Sequence, residues 1–383
     1  MRLSQSEGID GVLLRSSKSL PGAREALRLL QRQGIPYILL TNGGGKLEKS
    51  RVRQLSKQLA LPLEENIFIQ SHTPYADFEA KQKQGCTLVL GGHGDSCRKV
   101  AESYGFEKVI IPSDIYHEYP EIWPFSAPFK KYHASVAKPL PLGMFVPSKA
   151  SPEPREGMHL RINSMFVYND PRDMGLETQL VLDLLLSHKG FLGTLSELNG
   201  KSDLPNHGYQ QDSQPPLYFA NPDLFWASQY HLSRLGSGGF QASLRGLWNE
   251  VTGKQGIELI AINGGKPYRS AYEYAEQKVV HRLHTMYDDD LKGVAIQDNL
   301  KRVYMVGDNP ASDITGANSF QSPEGRKWLS ILVRSGVWRG EKPKNELEKP
   351  GRIVDGVYDA VRSVLHEEGW PLDTNPEPRA VAD

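Results

Sequence analysis

The sequence predicts an α/β protein built on a parallel sheet. Short apolar runs end in loops rich in glycine, asparagine or aspartate, and amphipathic helical stretches follow several of those loops. After a long middle block of different texture, the same strand–loop–helix alternation resumes. With 383 residues the chain exceeds one ordinary core and fits two packed domains.

Pro21 to Leu30 opens a helix, with apolar residues three and four apart, and Gly34 ends it. Ile35 to Leu40 is an apolar run of the kind that forms a strand buried on both faces. It stops at Thr41-Asn42-Gly43-Gly44-Gly45, a turn that exposes backbone, and Lys49 to Leu61 reads as a second amphipathic helix. In the middle block, a strand at Thr87 to Leu90 leads through Gly91-Gly92-His93-Gly94 into a helix from Asp95 to Tyr104. Further strands are expected at Lys108 to Pro112, Ser164 to Tyr168 and Leu217 to Ala220, with a helix at Leu176 to Ser187. Leu195 to Gln214 is polar and punctuated by glycine and proline, which predicts a mobile surface insertion. Strands then return at Glu258 to Ile262, Arg302 to Val306 and Trp328 to Val333, and Tyr272 to Met286 is helical. Gly340 to Pro350 reads as a loop, Ile353 to Glu368 as a final helix, and the chain from Asn375 as a frayed end. The expected division is a core from residues 1–70 and 257–383 with an inserted α/β domain at 71–256.

Lysine plus arginine equal aspartate plus glutamate, 45 against 45, so no overall attraction to nucleic acid or to an anionic membrane is expected, only a local patch at most. Cys86 and Cys97 are the only cysteines and form no CxxC pair, which points to a reduced, intracellular compartment and two plain thiols. No apolar run is long enough to span a bilayer. Met1 to Gly8 has neither the length nor the composition of a targeting peptide. The sequence sets no oligomeric state.

Four segments lie where an expected strand meets a loop: Ile9-Asp10-Gly11-Val12, Thr41-Asn42 with Gly43 behind it, Gly265-Lys266-Pro267, and Gly307-Asp308 continuing to Ser312-Asp313. Open parallel sheets bind ligands at the carboxyl ends of their strands, so these segments should converge. Together they supply a hydroxyl, backbone donors, one cation and several carboxylates. That set suits a phosphoryl group with a magnesium ion: hydroxyl and N–H groups hold the phosphate oxygens, the lysine offsets their charge, and carboxylates hold the hard cation.

The order Asp-Gly-Val-Leu, Thr-Asn, Gly-Lys-Pro, Gly-Asp and Ser-Asp-Ile resembles subfamily IIA of the haloacid dehalogenase (HAD) superfamily. Ser71-His72-Thr73-Pro74, Asn169-Asp170-Pro171-Arg172-Asp173, Asn221-Pro222-Asp223-Leu224 and Tyr272-Glu273-Tyr274-Ala275-Glu276 bring the resemblance close to the cat eye syndrome critical region protein 5 family, from about Ile9 to about Glu367. The resemblance implies a Rossmann-like core interrupted by a type-2 cap, and a Mg2+-dependent phosphatase acting on a small phosphorylated metabolite. It implies an aspartate nucleophile that takes the phosphoryl group, two residues before an acid/base aspartate. Carried over residue by residue, Asp10 matches the acid/base and a metal-binding position, and Thr41 with Asn42 and Gly43 the phosphate cradle. Lys266 matches the steadying lysine, Asp308 a magnesium ligand and Asp313 its supporting carboxylate. Asp170 and Arg172 face the cleft and select substrate, or else belong to a capped turn. By family association alone, the resemblance extends to a mitochondrial setting and glycerophospholipid metabolism.

The departure falls at the nucleophile, where residue 8 is glycine. Arg2-Leu3-Ser4-Gln5-Ser6-Glu7 is also too polar for a strand buried in mid-sheet, so the first strand of the core is expected to be missing and the chain to be a truncated or mis-spliced form of a longer protein. Two functions therefore compete: a phosphatase impaired in this chain, and a non-catalytic binding protein on the same fold. Plainer readings stand beside each residue. Asp10 could be a turn aspartate, Lys266 a solvated turn lysine, Asp313 a helix-capping residue and His72 a hydrogen-bonded loop histidine. Asp288-Asp289-Asp290 reads as a solvated loop, and Gly91 to Gly94 as a turn without a dinucleotide fingerprint.

Overall fold

The structure, a computed structural model, describes residues 2–7, 9, 11–15, 18–149, 151–226, 230–253, 256–287 and 300–371. Two parallel sheets organise it. In chain order their strands are β1 (Arg2–Glu7), β2 (Tyr37–Leu40), β3 (Phe68–Ile69), β4 (Cys86–Leu90), β5 (Lys108–Ile110), β6 (Ser164–Val167), β7 (Leu217–Phe219), β8 (Ile262–Asn263), β9 (Leu300–Gly307), β10 (Lys327–Val333) and β11 (Arg352–Val354). The larger sheet runs β11-β10-β9-β1-β2-β3 and the smaller β8-β7-β6-β4-β5.

The larger sheet is covered on both faces, which is why β2 and the second halves of β9 and β10 read as apolar runs. Tyr37 and Leu39 face one core with Leu27, Leu30, Val306 and Val361, while Ile38 and Leu40 face the other with Tyr272, Val279, Val303 and Met305. The period of two in β2 thus places alternate residues in different layers. The smaller sheet repeats the plan: Leu88 and Leu90 pack with Met165 and Val167 on one side, and Val89 packs with Phe166 on the other.

The expectation of a missing first strand is overturned. Residues 2–7 form β1 in mid-sheet, pairing in parallel with β9 from Arg2 against Leu300 to Glu7 against Val306, and with β2 from Gln5 against Tyr37 to Glu7 against Leu39. A ladder is made of backbone groups, so a polar strand pairs as well as an apolar one. Without it, β2 and β9 would each present a row of unpaired N–H and C=O groups inside the sheet.

Two further expectations change. The Glu258–Ile262 strand shrinks to β8, Ile262–Asn263, and joins the smaller sheet beside β7. The segment expected to be a mobile insertion is tied down. The Asn206 side chain bridges both backbone groups of Glu258, at 2.9 Å each. Gln210 bridges those of Ile260, at 2.9 and 2.8 Å. These carboxamides mimic a strand partner, which composition alone does not reveal. Gly8, Asp10, Asp288-Asp289-Asp290 and the chain from Asn375 lie outside the described residues.

Candidate active site

The loops after β2, β7, β8 and β9 meet around Lys266. Its Nζ donates to Asp313 Oδ1 at 2.6 Å and to the Leu40 carbonyl at 3.2 Å, and the side chain is buried. Asn42 fixes the lysine's backbone from across the sheet. Lys266 N donates to Asn42 Oδ1 at 2.7 Å, and Asn42 Nδ2 donates to the Lys266 carbonyl at 2.9 Å. Lys266 is therefore not a solvated turn lysine but a buried cation held at both ends.

Asp313 sits in a π-helical turn, Pro310–Ile314, that follows β9. Its Oδ2 accepts from the amides of Asp308 and Asn309, each at 3.0 Å. With Oδ1 on Lys266, both oxygens are committed, so Asp313 acts as an anchor for the lysine and the β9 loop. Asp308 is different: Oδ2 accepts from Val337 N at 2.7 Å, and no other hydrogen bond to its carboxylate occurs among the described residues. Burial and the neighbouring charge of Asp313 push the Asp308 carboxyl well above the usual carboxylate range. Backbone crowds it: a methyl at Gly11, where φ is +87°, would lie 2.1 Å from Asp308 Oδ2. Only glycine lets the chain pass there.

Asp223, named in sequence only as part of Asn221-Pro222-Asp223, belongs to this cluster. Burial pushes its carboxyl up to about 6, against the pull of Lys266 and hydrogen bonds from Asn42 and Ser312. The signal that could have found it is an aspartate in the loop just beyond an expected strand, three residues past Ala220, much as Asp308 lies two past Val306. Asp223, Asp308 and Asp313 place three carboxyls around one lysine. Asp308, the least committed of the three, is the carboxylate with an oxygen left for a hard divalent cation. Among the described residues no group of three ligating side chains converges on one point.

Thr41 and the glycines behind it form the turn after β2. Gly43 N donates to Thr41 Oγ1 at 3.0 Å. Gly45 N donates to His72 Nε2 at 2.9 Å, and His72 Nδ1 lies 2.8 Å from the Tyr104 hydroxyl, which in turn donates to Glu48. Because Nε2 accepts, the ring proton sits on Nδ1. His72 is thus a neutral pin for the turn, stacked on Tyr168. Burial holds its pKa down, to about 4 from 6.5, against the pull of Glu48. The folded pKa lies below the unfolded one, so the unfolded chain binds more protons in this window. The stability His72 supplies is complete above pH 6.5 and is lost as pH falls toward 4. We expect His72→Asn to flatten the acid-side fall in stability by roughly 3 kcal/mol over that window, read from urea melts at stepped pH. An unchanged slope would mean that the ring is solvated.

Of the two candidates expected to face the cleft, Asp170 and Arg172 on the loop after β6, neither has a hydrogen bond to the Lys266 cluster among the described residues. Arg172 folds back on its own loop, donating to the Asp170 carbonyl at 2.5 Å and to Asn169 Oδ1 at 3.2 Å. Asp170 Oδ1 is buried and has no hydrogen-bond partner among the described residues, and burial raises the Asp170 pKa. The residue that reaches across is Asn169, whose Nδ2 donates to the Gly44 carbonyl at 3.1 Å. Asp173 serves as a helix cap, accepting from Leu176 N at 3.2 Å, so the capped-turn reading holds for that end of the loop.

Comparison with known proteins gives the family. Residues 8–107 match the haloacid dehalogenase-like hydrolase family, and residues 263–360 match a HAD-hydrolase-like family. The chain is 34% identical over 370 residues to a mitochondrial hydrolase of Saccharomyces cerevisiae, covering 94% of each. It is 36% identical over 360 residues to a cardiolipin synthase (CMP-forming)/mitochondrial hydrolase fusion protein of Schizosaccharomyces pombe, covering 94% of this chain but spanning only about half, 52%, of the fusion. Its fold is similar to that of a glycerol phosphate phosphatase of Mycobacterium tuberculosis solved with magnesium, with TM-score 0.53, 14% identity, and coverage of 98% of this chain and 80% of that one.

Proposed function

The chain belongs to the haloacid dehalogenase-like hydrolases, and on that premise we propose that its cleft binds the phosphoryl group of a small phosphorylated metabolite together with Mg2+. The observation that carries this reading is the buried Lys266 held between Asn42 and Asp313, with Thr41 and Asp308 on the same sheet edge. Lys266 offsets phosphate charge in a site where water is excluded, so its charge acts at low screening. The Thr41 hydroxyl, whose oxygen accepts from Gly43 N and whose own proton remains to be donated, orients a phosphate oxygen. Asp308 would hold the metal, with Asp10 beside it in the family pattern, while Asp313 keeps the lysine in place. Bound there, magnesium would neutralise charge on the phosphoryl oxygens.

In the family pattern, hydrolysis runs through an aspartyl-phosphate formed at residue 8, with Asp10 giving a proton to the leaving oxygen and then taking one from water. Gly8 has no group that can attack phosphorus. The chain as it stands is therefore an impaired phosphatase, with a phosphate-binding cleft that outlasts the chemistry. The second reading, a non-catalytic binding protein, is favoured by that same glycine. The motif order quoted above supports placement in subfamily IIA and near the cat eye syndrome critical region protein 5 family. The names of the two fungal relatives support a mitochondrial location and a link to glycerophospholipid metabolism.

Binding can be tested without turnover. Calorimetric titration of the chain with inorganic phosphate in the presence of Mg2+ should show saturable binding, and Thr41→Val should weaken it roughly tenfold by removing one hydrogen bond to a charged group. Absence of phosphate binding, with or without Mg2+, would sink the reading.

A further inference from the structure

The smaller sheet has a ligand-binding geometry of its own. Its five strands are parallel throughout, in the order β8-β7-β6-β4-β5. From β4 the chain adds β5 on one side, then returns to build β6, β7 and β8 on the other. The order therefore reverses between β4 and β6. Loops leaving the carboxyl ends of strands at such a point open a crevice, and open α/β sheets bind ligands there. A cavity lies at this position, lined by Gly91 and Gly92 after β4, Ser113 after β5 and Asp173 after β6, with Tyr132 and His133 from the helix Lys130–Val136. It encloses about 320 Å³, the solvent at its mouth included, which is the low end of small-molecule sites.

Three of the lining side chains form a relay. A carboxylate only accepts, so with His133 Nε2 3.3 Å from Asp173 Oδ2 the ring proton sits on Nε2. Nδ1 then carries the lone pair, and Ser113 Oγ, 2.9 Å away, donates to it. Either ring nitrogen serves as a base once its opposite number is fixed by a carboxylate. Burial holds the His133 pKa down against the pull of Asp173, so the imidazole is neutral and free to take a proton at pH 7. Asp173 is itself fixed, with Oδ1 accepting from Leu176 N and Oδ2 from Ser126 Oγ.

Ser113 stands where β5 passes through Ile111 into the helix Pro112–Glu118, the strand–turn–helix setting of hydrolase nucleophiles. Its Oγ makes no other hydrogen bond among the described residues, so its lone pairs are left to the cavity. The Tyr132 hydroxyl accepts from Gly94 N at 2.8 Å and keeps its own proton to donate. Nucleophile, base, orienting carboxylate and a hydroxyl donor thus line one cavity, the set that acyl transfer uses. Charge narrows the substrate. Asp173 and the buried Glu177 line the wall, while the Arg172 guanidinium is taken up by its own loop, so anions are disfavoured. The amides of Gly91 and Gly92 are already engaged, by Glu177 and the Asp170 carbonyl, so the turn cradles no phosphate.

We propose that Ser113 is the nucleophile of a second site, which hydrolyses small uncharged carboxylic esters. Ser113 Oγ bonds to the carbonyl carbon as its proton passes to His133 Nδ1, and Tyr132 donates to the carbonyl oxygen as that atom gains charge. The acyl C–O bond then breaks, and the alcohol leaves with the proton from Nδ1. Water attacks the acyl-serine and gives a proton to Nδ1, which passes it to Ser113 Oγ as the acid departs.

A small fluorophosphonate, which forms a covalent adduct with an activated serine, tests this on the full chain by mass spectrometry of its peptides. An adduct is expected on Ser113, and it should vanish when the chain is unfolded in urea. His133→Gln should slow labelling roughly a hundredfold. The chain should hydrolyse p-nitrophenyl acetate, with kcat lower by roughly a thousandfold in Ser113→Ala. In Tyr132→Phe, kcat should fall roughly a hundredfold with KM little changed. Absence of an adduct on Ser113 in the folded chain overturns the proposal. So does equal labelling in His133→Gln, or ester hydrolysis that survives Ser113→Ala. Neither assay involves phosphate, Lys266 or residue 8, so failure at this site leaves the reading of the phosphoryl cleft intact, and the converse also holds.

Discussion

Replacing Gly8 by aspartate should convert the chain from a near-inactive protein into a working phosphatase. Loss of the nucleophile in a serine protease costs on the order of a millionfold in turnover, and restoring one here should recover several of those orders. The rest of the machinery supports so large a gain. Lys266 is already buried and fixed at both its backbone and its ammonium, Asp308 keeps an uncommitted carboxyl oxygen, and Asp313 holds both in place. β1 pairs with β9 up to Glu7 against Val306, so it brings the chain to the same sheet edge as Asp308. The measurement is kcat/KM on p-nitrophenyl phosphate with Mg2+, for the chain, for Gly8→Asp and for Gly8→Asn. Only the aspartate should gain, because asparagine matches its shape but does not form the acyl phosphate. If Gly8→Asp stays inactive while phosphate still binds, the site is a binding cleft and the enzymatic reading of this chain fails.

The contrast between what the sequence revealed and what it hid follows from what each feature depends on. β2, β9 and β10 were legible because a strand buried on both faces must be apolar throughout, and that constraint is written in adjacent residues. Thr41, Asn42, Lys266, Asp308 and Asp313 were legible as candidates because parallel sheets collect ligand-binding groups at strand ends, and each sits there. β1 was misjudged for the converse reason: its place in the sheet is set by the backbone edges of β2 and β9, which its own side chains do not encode. The 195–214 segment was misjudged because Asn206 and Gln210 find their partners some fifty residues away, at Glu258 and Ile260. Asp223 and Asn169 could be read as loop residues after strands, but their partners could not. Only the meeting of loops from the two sheets brings Asn169 to Gly44 and Asp223 to Asn42.

Lys266→Met should destabilise the fold by roughly 3–5 kcal/mol, the usual cost of removing one partner of a buried ion pair. The lysine ammonium lies 2.6 Å from Asp313 and is the one cation that faces Asp223, Asp308 and Asp313 in the contacts described. Methionine fills similar volume, so the loss is electrostatic rather than a cavity effect. It leaves buried carboxyls repelling one another and frees the Leu40 carbonyl from its lysine partner. If that is the cause, the double variant Lys266→Met/Asp313→Asn should recover part of the loss. Asparagine keeps one oxygen for the amides of Asp308 and Asn309 while removing the unpaired charge. Urea melts of the four proteins in the cycle give the coupling directly. A coupling of several kcal/mol would identify the pair as a single unit set into the sheet edge. If instead Lys266→Met changes stability by less than about 1 kcal/mol, in the range of exposed pairs, the ammonium must reach solvent. Lys266 would then be a poor means of holding phosphate charge, and the low-screening argument for this cleft would go with it.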